Sequence, residues 1–400
     1  MSYLVKSAIK ILWEKIFHLI DNDLPGTRPN LGDYINTVET QKRLDYILFY
    51  NPNMVRVEYL STLNITTENV SEYNDNKKLN QSIFRNFSRL EPGKAMKLLQ
   101  ILNRNIYGPL FRQMGQGYGA IRSLDHSARR IKYEVRGCNE CMDLPNVGFN
   151  SCFYFSGMLA GIFSALFHQP MGAYESSCVT HGDQLCNYEI GYVKDIEFSD
   201  KVEDFLTVNV PPGSLQEIES TLQRKILESL SNGSQIETKI GSYVHIFIYQ
   251  LRMLNTLSQN PEIYSEIYQK AGVRFSYHLV NTLRRFYNVD GEKLLTEAMP
   301  KYYRKQLLAN IHSVEKFEDG YQVTFSEPMD CSGIKELDIR PCSFMKGEIE
   351  GIANIAIGKK IKCEISSCRF DSGEPLCQYR LFYEKKEAEI PQWLREMQEQ

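Results

Sequence analysis

Ten cysteines are spread over 400 residues, and eight of them fall on one repeated frame. The steps from Cys141 to Cys152 and from Cys152 to Cys178 recur unchanged from Cys331 to Cys342 and from Cys342 to Cys368. The last step, Cys178 to Cys186, recurs from Cys368 to Cys377 with a single extra position. Random placement does not produce this, so the spacing predicts two copies of one unit with thiols kept at matching places. In a reducing compartment such thiols serve as soft metal ligands or as small buried apolar groups, not as disulfides. Cys138-x-x-Cys141 also invites a redox reading. The second copy keeps only Cys331, at the Cys141 position, so the unit does not require the pair.

The elements that must position these thiols follow from local pattern. After Cys152, the run Ser156–Phe167 has small residues at 156, 157, 160, 161, 164 and 165 and apolar residues between. It is apolar nearly all round, which predicts a buried helix whose small side lets another backbone approach closely. A strand is expected through Ala173–Thr180, a turn at Gly182-Asp183 and a strand over Leu185–Val193. Gly347 and Gly351 repeat Gly157 and Gly161. Gly182-Asp-Gln-Leu-Cys-Asn-Tyr188 repeats as Gly373-Glu-Pro-Leu-Cys-Gln-Tyr379. Ile131–Val135 alternates like a strand, as does Tyr321–Phe325 at the same offset. Earlier in the chain, the tyrosine-rich Leu44–Tyr59 reads as strand-like and Thr66–Asn80 as a polar loop.

Length suits two domains. The expected division is residues 1–198, including an N-terminal helical extension, then 199–386, then a charged tail over 387–400. Lys plus Arg number 46 against 49 Asp plus Glu, a net charge of −3, which argues against a nucleic-acid partner. The sequence holds no apolar run long enough for a membrane span. The N-terminal segment has charges through its apolar stretch and no small-residue cleavage site, so it does not read as a signal peptide. It reads as an amphipathic helix. Packing on its own domain is one role for it, and peripheral membrane contact through residues 3–20 is the other. The expected localisation is cytoplasmic.

The block SGMLAGIFSALF followed by ESSCVTHGDQLCNYEI resembles the 4-vinyl reductase domain family. The resemblance is strong over residues 85–193 and weaker over 275–383. It implies an α/β (α+β) ligand-binding fold, related to nitric-oxide-sensing domains and to vesicle-tethering subunits, in two tandem copies packed as a pseudo-dimer. In the sensor branch of the family a zinc ion is held by residues that fall on Cys152, Glu175, Cys178 and Cys186. In the second copy they fall on Cys342, Cys368 and Cys377. There Ile365 takes the aligned glutamate place, with Glu364 just before it. Three thiolates and a carboxylate would make a closed, structural tetrahedral zinc site. Glu175 and Cys178 are three apart, which on a regular strand puts them on opposite faces, so a bulge or an early strand end must intervene. His181 beside the turn is a substitute ligand or a solvated side chain.

Nothing in the sequence forms a catalytic constellation: there is no P-loop and no nucleotide fingerprint. Phe111, Tyr118, Tyr133, Phe153 and Phe155 surround the matched block and are either plain core or the lining of an apolar pocket. The functional expectation is a non-catalytic binding or scaffold protein with structural zinc. Its ligand would be a hydrophobic, aromatic or tetrapyrrole molecule, and its output would pass through a protein partner. The alternatives are an assembly factor for a photosynthetic or membrane complex, and an enzyme or accessory protein in chlorophyll vinyl reduction. The oligomeric state is left open.

Overall fold

The computed structural model describes residues 28–76, 90–104, 108–113, 115–125, 127–142, 144, 146–232, 243–334, 341–368 and 376–384. The expected N-terminal helix and the charged tail lie outside the described residues. The chain runs through β1 (Tyr34–Asn36), α1 (Gln41–Tyr50), α2 (Asn53–Asn76), α3 (Pro92–Leu102) and α4 (Gly108–Gln113). The hairpin β2 (Tyr118–Asp125) and β3 (Arg130–Arg136), helix α5 (Phe153–Phe167), and strands β4 (Met171–Ser177) and β5 (Cys186–Tyr192) follow. Helices α6 (Ile196–Leu206) and α7 (Ser214–Asn232) lead into β6 (Tyr243–His245), α8 (Ile246–Leu257), α9 (Pro261–Tyr287) and α10 (Met299–Lys305). The last elements are β7 (Asn310–Phe317), β8 (Gly320–Ser326), α11 (Ser343–Ile357), β9 (Ile361–Ser367) and β10 (Cys377–Tyr383).

The fold is mixed α+β, with small antiparallel sheets. One four-stranded sheet has the order β2-β3-β5-β4 and the other β7-β8-β10-β9, so the same topology occurs twice. Each sheet carries one buried helix, α5 or α11, and each of these packs against one long helix from earlier in its own half, α2 or α9. The glycines predicted on the small face make that packing close. A Cβ on Gly157 would sit 2.6 Å from the Tyr59 carbonyl oxygen, and one on Gly347 would sit 2.0 Å from that of Gln269. The step along the chain from Tyr59 to Gln269 is longer than the step from Cys152 to Cys342. The early helices of the two halves thus correspond at a different offset from the sheets.

Two sequence expectations fail in the first half. Leu44–Tyr59 is not a strand: it spans the end of α1, a short break and the start of α2. The buried Leu44, Ile47 and Leu48 stand at helical spacing, and the polar Arg43 and Asp45 between them are also buried. Tyrosine and isoleucine content imitated a strand; the helical period decided otherwise. Nor is Thr66–Asn76 a loop, because α2 continues to Asn76. Its packing on α5, with Thr66 buried against Gly161, holds a helix that polarity alone would not predict.

The halves are interlocked. Strands β1 and β6 pair antiparallel, Tyr34 with His245, Ile35 with Val244 and Asn36 with Tyr243. Helix α8 packs on α2 of the first half, and α1 packs on α9 of the second. Arg28 near the start of the described chain donates from Nε to the Glu327 carbonyl oxygen at 3.0 Å.

Candidate metal centre and adjoining cavity

Cys152 is the residue before α5, Cys178 follows β4, and Cys186 opens β5. A hairpin laid on the start of a buried helix therefore brings three distant thiols to one place. The ladder between β4 and β5 is irregular between Glu175 and Ser177: Glu175 faces Tyr188, and Ser177 faces Asn187. Ser176 is the extra residue of a bulge and points to solvent. This bulge resolves the face problem posed by the spacing of Glu175 and Cys178, since both are buried.

Cys152, Glu175, Cys178 and Cys186 have ligating atoms all within 4.8 Å of one another. The Sγ of Cys152 lies 3.9 Å from that of Cys178 and 3.9 Å from that of Cys186. Four ligands around zinc, with Zn–S near ~2.3 Å, place sulfurs about 3.8 Å apart. The Glu175 carboxylate accepts from the Cys152 amide through Oε2 at 3.2 Å, while its buried Oε1 has no hydrogen-bond partner. An unpartnered carboxylate oxygen among thiols is expensive unless a cation completes it. The donor set and its spacing therefore fit a zinc ion.

The electrostatics agree. Burial, reinforced by the Cys178 and Cys138 thiols, pushes the Glu175 carboxyl well above the ordinary carboxylate range. Burial also raises the Cys152 thiol. Burial works against ionisation of Cys178 too, but hydrogen bonds from Cys141, Cys152, Cys186 and Thr180 outweigh it and hold this thiol well below its usual value. Without a cation the cluster must stay largely protonated.

Two further thiols join the cluster. Cys138 Sγ is 3.5 Å from Cys152 Sγ, and Cys141 Sγ is 3.1 Å from Cys186 Sγ. Cys138, Cys141, Cys152 and Cys186 form a second set whose ligating atoms lie within 4.8 Å. Sequence reasoning left Cys138 and Cys141 outside the site. The signal for Cys141 was its place on the repeated frame. His181 is exposed in the turn after Cys178, away from the buried thiols.

Beside the cluster lies an apolar cavity of about 10 Å³, lined by Leu99, Leu102, Phe111, Ile121, Leu159 and Phe163 among others. Its polar feature is the Tyr133 hydroxyl, which donates to Asn103 Oδ1 at 3.0 Å, while Asn103 Nδ2 donates to the Gly119 carbonyl at 2.9 Å. Of the aromatic candidates, Phe111 and Tyr133 line the cavity. Phe155 stacks on both, with ring centroids 5.4 and 6.4 Å away. Phe153 instead packs on Phe205 of α6 at 4.9 Å. Tyr118 is 44 % exposed, with Arg112 over its ring. Phe155 also contacts Tyr188 at 5.2 Å, and the Tyr188 hydroxyl lies 3.7 Å from Cys138 Sγ. One aromatic chain therefore joins cavity wall to thiol cluster.

In the second half the bulge recurs, with Ile365 facing Tyr379 as Glu175 faces Tyr188. Glu364, the carboxylate expected among the ligands there, is exposed on β9 and pairs in the ladder with Arg380. Alternation along the strand turns it away from the buried cysteines.

These features define a mixed α+β domain built round a buried thiol–carboxylate cluster at the head of its central helix. Residues 131–192, from β3 through β5, match the 4-vinyl reductase domain family. Two uncharacterized proteins of Methanocaldococcus jannaschii are similar in sequence. MJ1642 is 28% identical over 97 residues, covering 23% of this chain and 59% of that protein. MJ0150 is 31% identical over 72 residues, covering 18% and 36%. The chain thus spans under two thirds of either relative. Among solved structures, a trafficking protein particle complex subunit 3 from Naegleria fowleri, covalently bound to palmitic acid, is similar with 14% identity and a TM-score of 0.29. It covers 34% of this chain and 94% of its own. The phenol-responsive sensory domain of the transcription activator PoxR, with phenol, is similar with 12% identity and a TM-score of 0.31, covering 44% and 83%. No described helix is long and apolar enough to cross a membrane.

Proposed function

We propose that this is a non-catalytic small-molecule-binding protein whose first half is stiffened by a structural zinc ion on Cys152, Glu175, Cys178 and Cys186. The observation that carries this reading is the aromatic chain Phe111–Phe155–Tyr188, which runs from the cavity to the thiol cluster. Metal at the cluster would hold the head of α5, and α5 supplies Leu159 and Phe163 to the cavity wall. The cavity in this conformation admits about one water. A ligand must therefore be a small apolar or aromatic molecule that displaces part of the wall. A tetrapyrrole is far larger than this space, so neither pigment binding nor vinyl reduction draws support from it. The polar pair Asn103–Tyr133 is the group that would recognise a hydroxyl or carbonyl on such a ligand.

The test uses the full chain, purified under reducing conditions. Metal content is measured by native mass spectrometry, and unfolding temperature is followed against a panel of phenol, benzene and short fatty acids. The reading expects bound zinc and a concentration-dependent rise in unfolding temperature with at least one member of the panel. A zinc-free protein that no panel member stabilises overturns it.

A further inference from the structure

The second half brings four cysteines together without a carboxylate in the set. Cys331 stands in the turn after β8, Cys342 precedes α11, Cys368 follows β9 and Cys377 opens β10. The sulfurs of Cys331, Cys368 and Cys377 lie within 4.8 Å of one another, with Cys368 and Cys377 at 4.0 Å. Cys342 interacts with the thiols of Cys331 and Cys368. All four are buried, and all four are free thiols.

The first-half ligand set does not transfer as it stands. Ile365 occupies the Glu175 place and has no donor atom, and Glu364 is exposed. The missing fourth donor comes instead from another element. Cys331 precedes Cys342 by the same interval as Cys141 precedes Cys152, and the chain after β8 delivers it to the other three. Four soft sulfur donors from four separate elements, closed off from solvent, match a structural zinc site of the all-thiolate kind. A buried group of inert thiols would have no reason to place four converging sulfurs where the carboxylate position is an isoleucine.

We propose that the second half holds a metal ion of its own, a zinc ion on Cys331, Cys342, Cys368 and Cys377, with Cys331 standing where the first half uses Glu175. The two halves would then present chemically different sites, one with a carboxylate and one without.

Native mass spectrometry of the full chain tests this. Two zinc ions per chain are expected. Cys331→Ala should lower the count to one, Cys186→Ser should also lower it to one, and Glu364→Gln should leave it at two. Cobalt substitution gives a second readout. In Cys331→Asp, which keeps a donor, the thiolate-to-cobalt charge-transfer absorption should weaken while the metal count stays at two. A wild-type count of one that Cys186→Ser abolishes overturns the proposal and leaves the first-half site standing, even if Cys331→Ala does not fold. A count of two that Cys331→Ala leaves unchanged also overturns it.

Discussion

Arg43 and Arg252 are buried in each other's halves at equivalent positions. Each stands eight positions after the central pair of the β1–β6 ladder, Ile35 and Val244. Arg43 reaches into the second half, with Nη1 2.7 Å from Glu348 and its guanidinium 5.5 Å from the centre of the Phe344 ring. Arg252 reaches into the first, with Nη2 2.7 Å from Asp45 and its guanidinium 5.5 Å from the Tyr154 ring. Phe344 and Tyr154 are themselves related by the offset of the cysteine frame, each standing just beyond a clustered cysteine, Cys342 or Cys152. The interlock thus braces the head of each central helix from the opposite half.

Breaking this brace should be costly. Arg252 also binds Glu58 at 2.5 Å, so Arg252→Met leaves two buried carboxylates without their cation. Removing one partner of a buried ion pair costs about 3–5 kcal/mol. Urea denaturation should show that loss for Arg252→Met. Neutralising both acids as well, in Asp45→Asn with Glu58→Gln, should recover part of it. A loss no larger than that of an exposed pair would refute the assignment.

The same interlock predicts that the halves depend on each other. A fragment covering residues 1–198 lacks α8 and therefore Arg252. Expressed alone it should be insoluble or lack cooperative unfolding. Co-expression with residues 199–400 should restore a soluble, cooperatively unfolding pair. Independent folding of the first fragment, seen by calorimetry, would contradict this.

Metal removal should loosen the first half. Cys186→Ser takes away a thiol shared by both first-half ligand sets. It should lower the unfolding temperature by several degrees and make the protein insensitive to further loss at that site on chelation. Cys138→Ser should retain the ion, because Cys138 is outside the glutamate-containing set. Zinc loss in Cys138→Ser would shift the assignment to the all-cysteine set.

Glu219 supplies a pH dependence with a defined sign. Its carboxylate lies 3.1 Å from His278 Nε2 and 3.0 Å from Arg274 Nε, and it accepts from the Tyr46 hydroxyl at 2.9 Å. Burial alone would raise its pKa, but His278 and Arg274 outweigh it and hold the group below its ordinary 4.5. The stabilisation it provides is therefore complete above that value and is lost as pH falls through the lower folded-state value. Stability curves of Glu219→Gln should lie below wild type at neutral pH and converge with it in acid. Parallel curves would rule the linkage out.

Close packing of the glycine face gives a last prediction. A Cβ on Gly161 would lie 2.6 Å from Thr66 Cβ and 2.7 Å from the Leu63 carbonyl oxygen. Gly161→Ala should destabilise by about 1–3 kcal/mol through overpacking, measured by urea denaturation. An unchanged midpoint would mean that α2 and α5 separate freely.

Much of the centre was legible in the sequence because its constraints are local. The buried helix over residues 156–167 followed from small and apolar residues at close spacing, and the thiol frame followed from counting. The need for a bulge between Glu175 and Cys178 followed from strand alternation, and the bulge at Ser176 supplies it. Secondary structure before residue 80 was misread, because buried polar residues such as Arg43, Asp45 and Thr66 break the helical pattern from which burial is inferred. Their partners lie far away in sequence, so only packing explains them. The sequence by itself determined which residue types could bind metal and that their arrangement occurs twice. Tertiary structure decided which of them meet. It brought Cys138 and Cys141 into the first cluster and Cys331 into the second, turned Glu364 to solvent, and crossed Arg43 and Arg252 between halves. Spacing along a chain fixes the face of a strand or helix, but not which elements converge, and convergence is what makes a site.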